Sequence, residues 1–274
     1  MLVCGVPVFD RHSRQLVLPE VGFIGQRRLA GARVLVVGCG GLGAPVISQL
    51  AAAGIGHLTL VDDDIIEASN LNRQTLFSSR DLGKRKAVVA AAFVEALDDS
   101  IHVEARVERV NVSSARRLVQ DHTVTVDCAD GLPTKYLLND VCVREDRPLV
   151  HGAATAWSGQ VVVVTGAAGP CLRCLFPNLP ARDVVPSCRT AGVLAPVTGV
   201  VGSLQAAAVL RVLLGVHLLQ NEGGRFVAVD VKSGSTKTLR FGRDPDCAAC
   251  GDAPSVTGTS DVDYVMPDTC EDDT

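Results

Sequence analysis

The chain has 274 residues, a formal net charge of −4 and only 4% aromatic residues, with Ala, Val, Leu and Gly abundant. Mixed charge along most of its length excludes a general nucleic-acid binder, and the lack of a uniform apolar run of about 20 residues argues against a membrane span. Ten cysteines without a cationic, then apolar N-terminal segment point to a reducing, cytoplasmic compartment.

Arg33–Gly38 is a short, nearly continuous apolar run, which predicts a strand buried on both faces. A helix over Gly40–Gly54 and a strand over His57–Asp62 follow. Lys84–Leu97 has helical periodicity and good helix formers. Strands are expected at His102–Val107 and Thr123–Asp127, with a helix near Ser113–Gln120 between them. Pro133–Glu145 reads as helix and Pro148–Gly152 as strand. This alternation predicts a Rossmann-like parallel half with right-handed crossovers, about residues 11–152.

The pattern changes over 153–251. Gln160–Thr165, Arg225–Val231 and Thr236–Phe241 read as strands, the last two a hairpin through Ser233-Gly234, and they are expected to extend the sheet in antiparallel fashion. Pro177–Pro196, with four prolines, reads as a mobile loop. The apolar stretch Ala191–Leu219 is interrupted by Pro196, Gly199, Gly202, Gln205 and Arg211, so it reads as a buried helix of a soluble protein. Residues 252–274 carry seven acidic residues and no Lys or Arg, a composition expected to be disordered. The whole of 1–251 is read as a single domain.

Two cysteine pairs, Cys171/Cys174 and Cys247/Cys250, have the two-residue spacer that lets both thiolates reach one metal ion. Together they supply the four soft ligands of a closed structural zinc site. Gly38-Cys39-Gly40-Gly41-Leu42-Gly43 fits the nucleotide-binding glycine loop between a strand and a helix, and Asp62 ends the next strand, where an acid accepts ribose hydroxyls. Alone this signature means a Rossmann-like nucleotide site, with NAD as the default. Arg73 and Lys86 are candidates to hold a triphosphate, and Asp130 to hold Mg²⁺.

Arg11-His12-Ser13-Arg14-Gln15, the Gly38–Gly43 loop, Ser69–Gln74, Lys86, Asp127–Asp130 and the two cysteine pairs together resemble the ThiF/MoeB/HesA enzymes, relatives of the ubiquitin-activating enzymes. The resemblance spans about Arg11 to Gly251. It implies ATP- and Mg²⁺-dependent adenylation of the C-terminal Gly-Gly carboxylate of a small ubiquitin-like sulfur carrier. It further implies a homodimer and a sulfur donor such as a cysteine desulfurase or sulfurtransferase. By the same resemblance Gly41 approaches the phosphates and Asp62 the ribose. Asp64, Ser69, Asn70, Asn72 and Gln74 line the nucleotide pocket with Gly38, Gly40 and Gly43. Arg73 and Lys86 compensate phosphate charge, Asp130 carries Mg²⁺, and Arg14 acts as an arginine finger from the second copy. Cys188 stands where some relatives have a reactive cysteine. One departure is Asp130-Gly131 where the family commonly has Asp-Asn. The competing readings are an NAD-dependent oxidoreductase, a carrier-binding scaffold without turnover, and adenylation serving a conjugation other than sulfur transfer.

Overall fold

Arg33–Val37 (β1) is an interior strand of an eight-stranded sheet, and its side chains divide between two cores because successive residues of a strand face opposite ways. Val34 and Val36 enter one apolar cluster, while Leu35 and Val37 enter the other. The computed structural model describes residues 2–3, 6–7, 11–181, 188–216, 224–256, 260 and 264–266, with backbone alone at 2–3, 6–7, 188 and 189.

The remaining strands are His57–Val61 (β2), His102–Arg106 (β3), Val124–Asp127 (β4), Leu149–Thr155 (β5), Ser158–Val164 (β6), Gly224–Asp230 (β7) and Ser235–Phe241 (β8). Their order is β8-β7-β6-β5-β4-β1-β2-β3. Strands β3, β2, β1, β4 and β5 run parallel, whereas β5 to β8 pair antiparallel, as the changed spacing of the second half predicts. The sheet is thus a mixed, Rossmann-like one.

Among the described residues, the helices longer than one turn that cover it are Gly22–Gly31 (α1), Gly43–Ala52 (α2), Lys86–Leu97 (α3), Val112–Gln120 (α4), Leu132–Arg144 (α5) and Ala195–Leu214 (α6). Asn111 starts α4 by accepting the backbone N–H groups of Ser113 and Ser114 through its Oδ1, while Ser114 Oγ answers the Asn111 N–H. Helix α1 is absent from the sequence reading. It exposes Phe23 and Ile24 while burying Gly25 and Gln26, the reverse of the usual amphipathic pattern.

Helix α6 is long and apolar enough to cross a membrane by composition, yet it lies on the sheet, packed against α2, β4, β5 and β6. Pro196, which reads as an interruption, falls in its first turn, where no N–H is needed. Residues 182–187 of the expected loop lie outside the described residues, and Cys188–Ala191 is a helical turn. The tail expected to be disordered is held where it is described. Asp252 pairs with Arg243, Ser255 and Val256 donate to the Ala248 carbonyl, and the Tyr264 phenol donates to Asp140.

Candidate nucleotide and cysteine sites

The chain order of the parallel strands reverses between β1 and β4, so the loops after these two strands open a crevice at the carboxyl edge of the sheet. Gly38 leaves β1 at φ +94, and a side chain there would meet the Cys128 carbonyl, 2.5 Å from the Cβ position. At Gly43 the Gly38 carbonyl lies 2.1 Å from where a Cβ would sit, so the loop closes tightly onto the first turn of α2. This places backbone N–H groups of a helix N-terminus at the crevice, a natural anion site.

Around the loop the expected residues gather. Asp62 accepts the Cys39 N–H at 2.7 Å and the Asp64 N–H at 2.8 Å, tying the glycine loop to the end of β2. Burial holds the Asp62 carboxyl above its usual range, opposed by these two bonds. The Arg73 stem lies 3.6 Å from the Cβ position of Gly41, and the Gln74 amide nitrogen 3.3 Å from that of Gly40. The Arg73 guanidinium donates to the Ser69 carbonyl and to Asn72 Oδ1. Asn70, largely buried, spends its Oδ1 on the Glu67 N–H and so braces its own turn. Lys86 reaches Asp64 at 2.7 Å. Gln74 is 4% exposed, yet its Oε1 has no partner, an expensive state for a buried carbonyl that a ligand N–H or a bound water would relieve.

Asp130 is exposed at the end of β4 and Gly131 precedes α5. Nothing nearer than Thr134 Oγ1, at 3.9 Å, would meet a side chain at Gly131, so space for the family's asparagine is present. Asp62, Asp63 and Asp64 also cluster, with Asp63 paired to Arg109, Asp64 to Lys86, and Asp62 accepting two backbone N–H groups; Asp130 has no ion pair among the described residues.

Arg14 is not brought to this crevice. Its helical turn is pinned at the opposite edge of the sheet, where Gln15 donates to the Ala53 carbonyl beyond the end of α2 and Arg11 to the Leu97 carbonyl at the end of α3. The Cys188 side chain lies outside the described residues.

The four paired cysteines converge. Cys171 and Cys247 sulfurs stand 3.6 Å apart, Cys174 and Cys250 sulfurs 3.3 Å, and all four lie within 4.8 Å of one another. Tetrahedral zinc at about 2.3 Å from each sulfur needs S···S edges of about 3.8 Å, so the cluster has the size and the soft donors for that ion. The Asp244 N–H points at Cys174 Sγ, 3.5 Å away.

Sequence reasoning did not single out Lys135, His151 and Gln205. All three are buried and converge on Asp127 beneath the β4 exit. No local motif announces them, since their partners lie on other elements.

A model of a family described as the ThiF family matches residues 12–249. The bovine protein named adenylyltransferase and sulfurtransferase MOCS3 is 46% identical over 254 residues, 92% of this chain. The chain spans about half the length of that relative, 55%. The Thermus thermophilus sulfur carrier protein adenylyltransferase is 44% identical over 260 residues, covering 93% of this chain and 94% of that one. Among solved structures, E. coli MccB with ATP superposes with a TM-score of 0.74 at 25% identity, covering 88% of this chain and 75% of that one.

Proposed function

The chain belongs to the ThiF family, and from that premise we propose that it is an adenylyltransferase that uses ATP to activate the C-terminal Gly-Gly carboxylate of a ubiquitin-like sulfur carrier, releasing pyrophosphate. The observation that carries the reading is the crevice itself. A glycine loop and a helix N-terminus meet Arg73, Gln74 and Lys86 on one side and the exposed Asp130 on the other. That is a cradle for a charged phosphate chain rather than for a nicotinamide ring.

In this reading the loop N–H groups around Gly41 hold phosphate oxygens, and Asp62 takes the ribose while Ser69, Asn70 and Asn72 shape the pocket wall. Arg73 and Lys86 meet the negative charge that grows as the carrier carboxylate attacks the α-phosphorus and pyrophosphate departs. The carboxylate is already ionised at neutral pH, so no general base is required. Mg²⁺, when bound, would be held by Asp130 and would neutralise phosphate charge. Zinc, when bound, would be held by Cys171, Cys174, Cys247 and Cys250 as a closed structural clip with no open position for substrate. Arg14, remote from the crevice of its own chain, would serve a second copy's crevice in a homodimer. Cys188 would act after adenylation, as a thiol acceptor on the way to sulfur transfer from a donor protein in the cytoplasm.

The test is ATP–pyrophosphate exchange with a panel of Gly-Gly-ended carriers, with and without Mg²⁺. Exchange that depends on one carrier and on the metal is the expected result. ATP-independent binding of every carrier, without exchange, would favour a scaffold and sink the enzymatic reading.

A further inference from the structure

Beneath the crevice lies a buried charged hub that no part of the nucleotide reading uses. The Asp127 side chain, at the end of β4, is fully buried, and its Oδ2 accepts the His151 ring from β5 at 2.6 Å. Its carboxylate also meets the Lys135 ammonium of α5 at 3.2 and 3.3 Å, and that ammonium donates to the Gly152 carbonyl at 2.7 Å. Gln205 of α6, fully buried, donates to the Asp127 carbonyl at 2.8 Å. Two strands and two helices are therefore joined by directional polar bonds at one point.

We infer that the Asp127–Lys135 pair is a positioning device that sets the geometry of the nucleotide crevice from below. Asp127 Oδ1 accepts the Ala129 N–H at 3.0 Å, which fixes the turn leading to Asp130. The Cys128 carbonyl in that turn is the atom against which Gly38 packs, so the glycine loop rests on the same support. A shift of the hub would move the loop that cradles phosphate and the carboxylate that faces it together. Stability alone does not account for the pair. Burying two charges costs several kcal/mol of desolvation each, and apolar residues of similar volume commonly serve a core equally well or better. What apolar residues lack is direction. Neither Asp127 nor Lys135 touches the crevice, so both act through the turn and neither is a catalytic residue.

This inference rests on the nucleotide reading above, and its test separates the two. The full-length protein carrying Asp127→Leu together with Lys135→Met removes both charges at once, so neither ion is left buried alone, although the His151 ring, the Ala129 N–H and the Gly152 carbonyl lose their bonds to the pair. It is compared with the wild type in three measurements: thermal melting, equilibrium ATP binding with Mg²⁺, and carrier-dependent pyrophosphate exchange. The expected double variant still folds cooperatively, melts moderately below the wild-type temperature because three polar groups lose their partners, binds ATP at least about fivefold more weakly, and exchanges more than about tenfold more slowly. Lys135→Arg, which keeps the charge, should recover binding to within about threefold of wild type. Unchanged ATP affinity in a double variant of normal stability overturns the positioning role. So does a double variant that melts far below wild type, which would make the pair a folding element. ATP binding by the wild type without exchange on any carrier would instead overturn the adenylation reading, and the affinity comparison would still decide the hub.

Discussion

Lys86 is 6% exposed, yet among the described residues its ammonium meets only Asp64, whose side chain is 57% exposed. An ammonium has three donors, so two are uncommitted among the described residues and available to a phosphate. Lys86→Ala should therefore slow pyrophosphate exchange by roughly 10²–10³, the usual effect of deleting one preorganised charge-stabilising donor. The fold should persist because the Asp64 carboxylate left behind is already in water. Near-normal exchange in that variant would mean the triphosphate lies elsewhere. Gly131 makes the opposite kind of test. It caps α5 with ordinary extended backbone, φ −85 and ψ 127, and without a side-chain acceptor. Gly131→Asn adds that acceptor into open space and should stabilise the protein by roughly a few tenths of a kcal/mol. A lower denaturation midpoint would show that the open space is filled in solution. Both residues are visible in the sequence because each sits in a short motif, whereas Lys135 and Gln205 earn notice only once α5 and α6 are folded over β4.

At the scale of elements, the cysteine cluster joins the segment after β6 to the segment after β8. Cys171 and Cys247 are 76 residues apart, and a cross-link over that span removes roughly 4 kcal/mol of unfolded-chain entropy by the loop-closure relation for disulfides. Stripping metal with a strong chelator should accordingly lower the melting temperature and loosen β7 and β8 before the parallel half. Hydrogen exchange read strand by strand checks this. Equal protection of β8 with and without chelator, in protein that metal analysis finds to carry zinc before the treatment and none after it, would refute the proposed clip. The parallel half is legible in sequence because β1 is buried on both faces and reads as a continuous apolar run, and because strands alternate with helices after it. The antiparallel extension is legible from shorter spacing and from Ser233-Gly234, where Gly234 does take φ +70. Helix α1 escapes because its buried face is Gly25, Gln26 and Leu29, a stripe too polar to stand out. The candidate site residues are legible for the opposite reason: they stand in loops or at the first residue of a helix, as Gly43 does in α2 and Lys86 in α3, where packing imposes less of a competing pattern.

For the molecule as a whole, the histidines set an acid limit on stability. His12, His57, His122 and His151 are all held below the usual imidazole range, chiefly by burial. His151 shows why burial prevails even beside a carboxylate. The charge of Asp127 is already met by Lys135, so a second cation would be uncompensated in a dry core. His122 is likewise spoken for, with Nδ1 on the Leu118 carbonyl and Nε2 on Thr59 Oγ1, an arrangement the neutral ring satisfies with one donor and one acceptor. The sign follows from linkage. Above the unfolded value of about 6.5 both states carry neutral rings and stability is unaffected; below it the unfolded chain takes up protons that the folded chain refuses, so stability falls with pH down to the folded values. A second loss should come well below this window. Asp127, Asp98 and Asp81 are held under the carboxylate range, Asp81 at about 2, so their contribution is lost only below about 3.8, as pH falls through their lowered values. Melting temperature should thus be level from pH 8 to 7 and decline between pH 6.5 and 5, above the window in which Asp127, Asp98 and Asp81 lose their contribution. His122→Asn, which keeps one donor and one acceptor but cannot titrate, should flatten part of that decline. A melting temperature constant from pH 7 to 5 would show that these rings protonate as readily in the folded protein as in the unfolded chain.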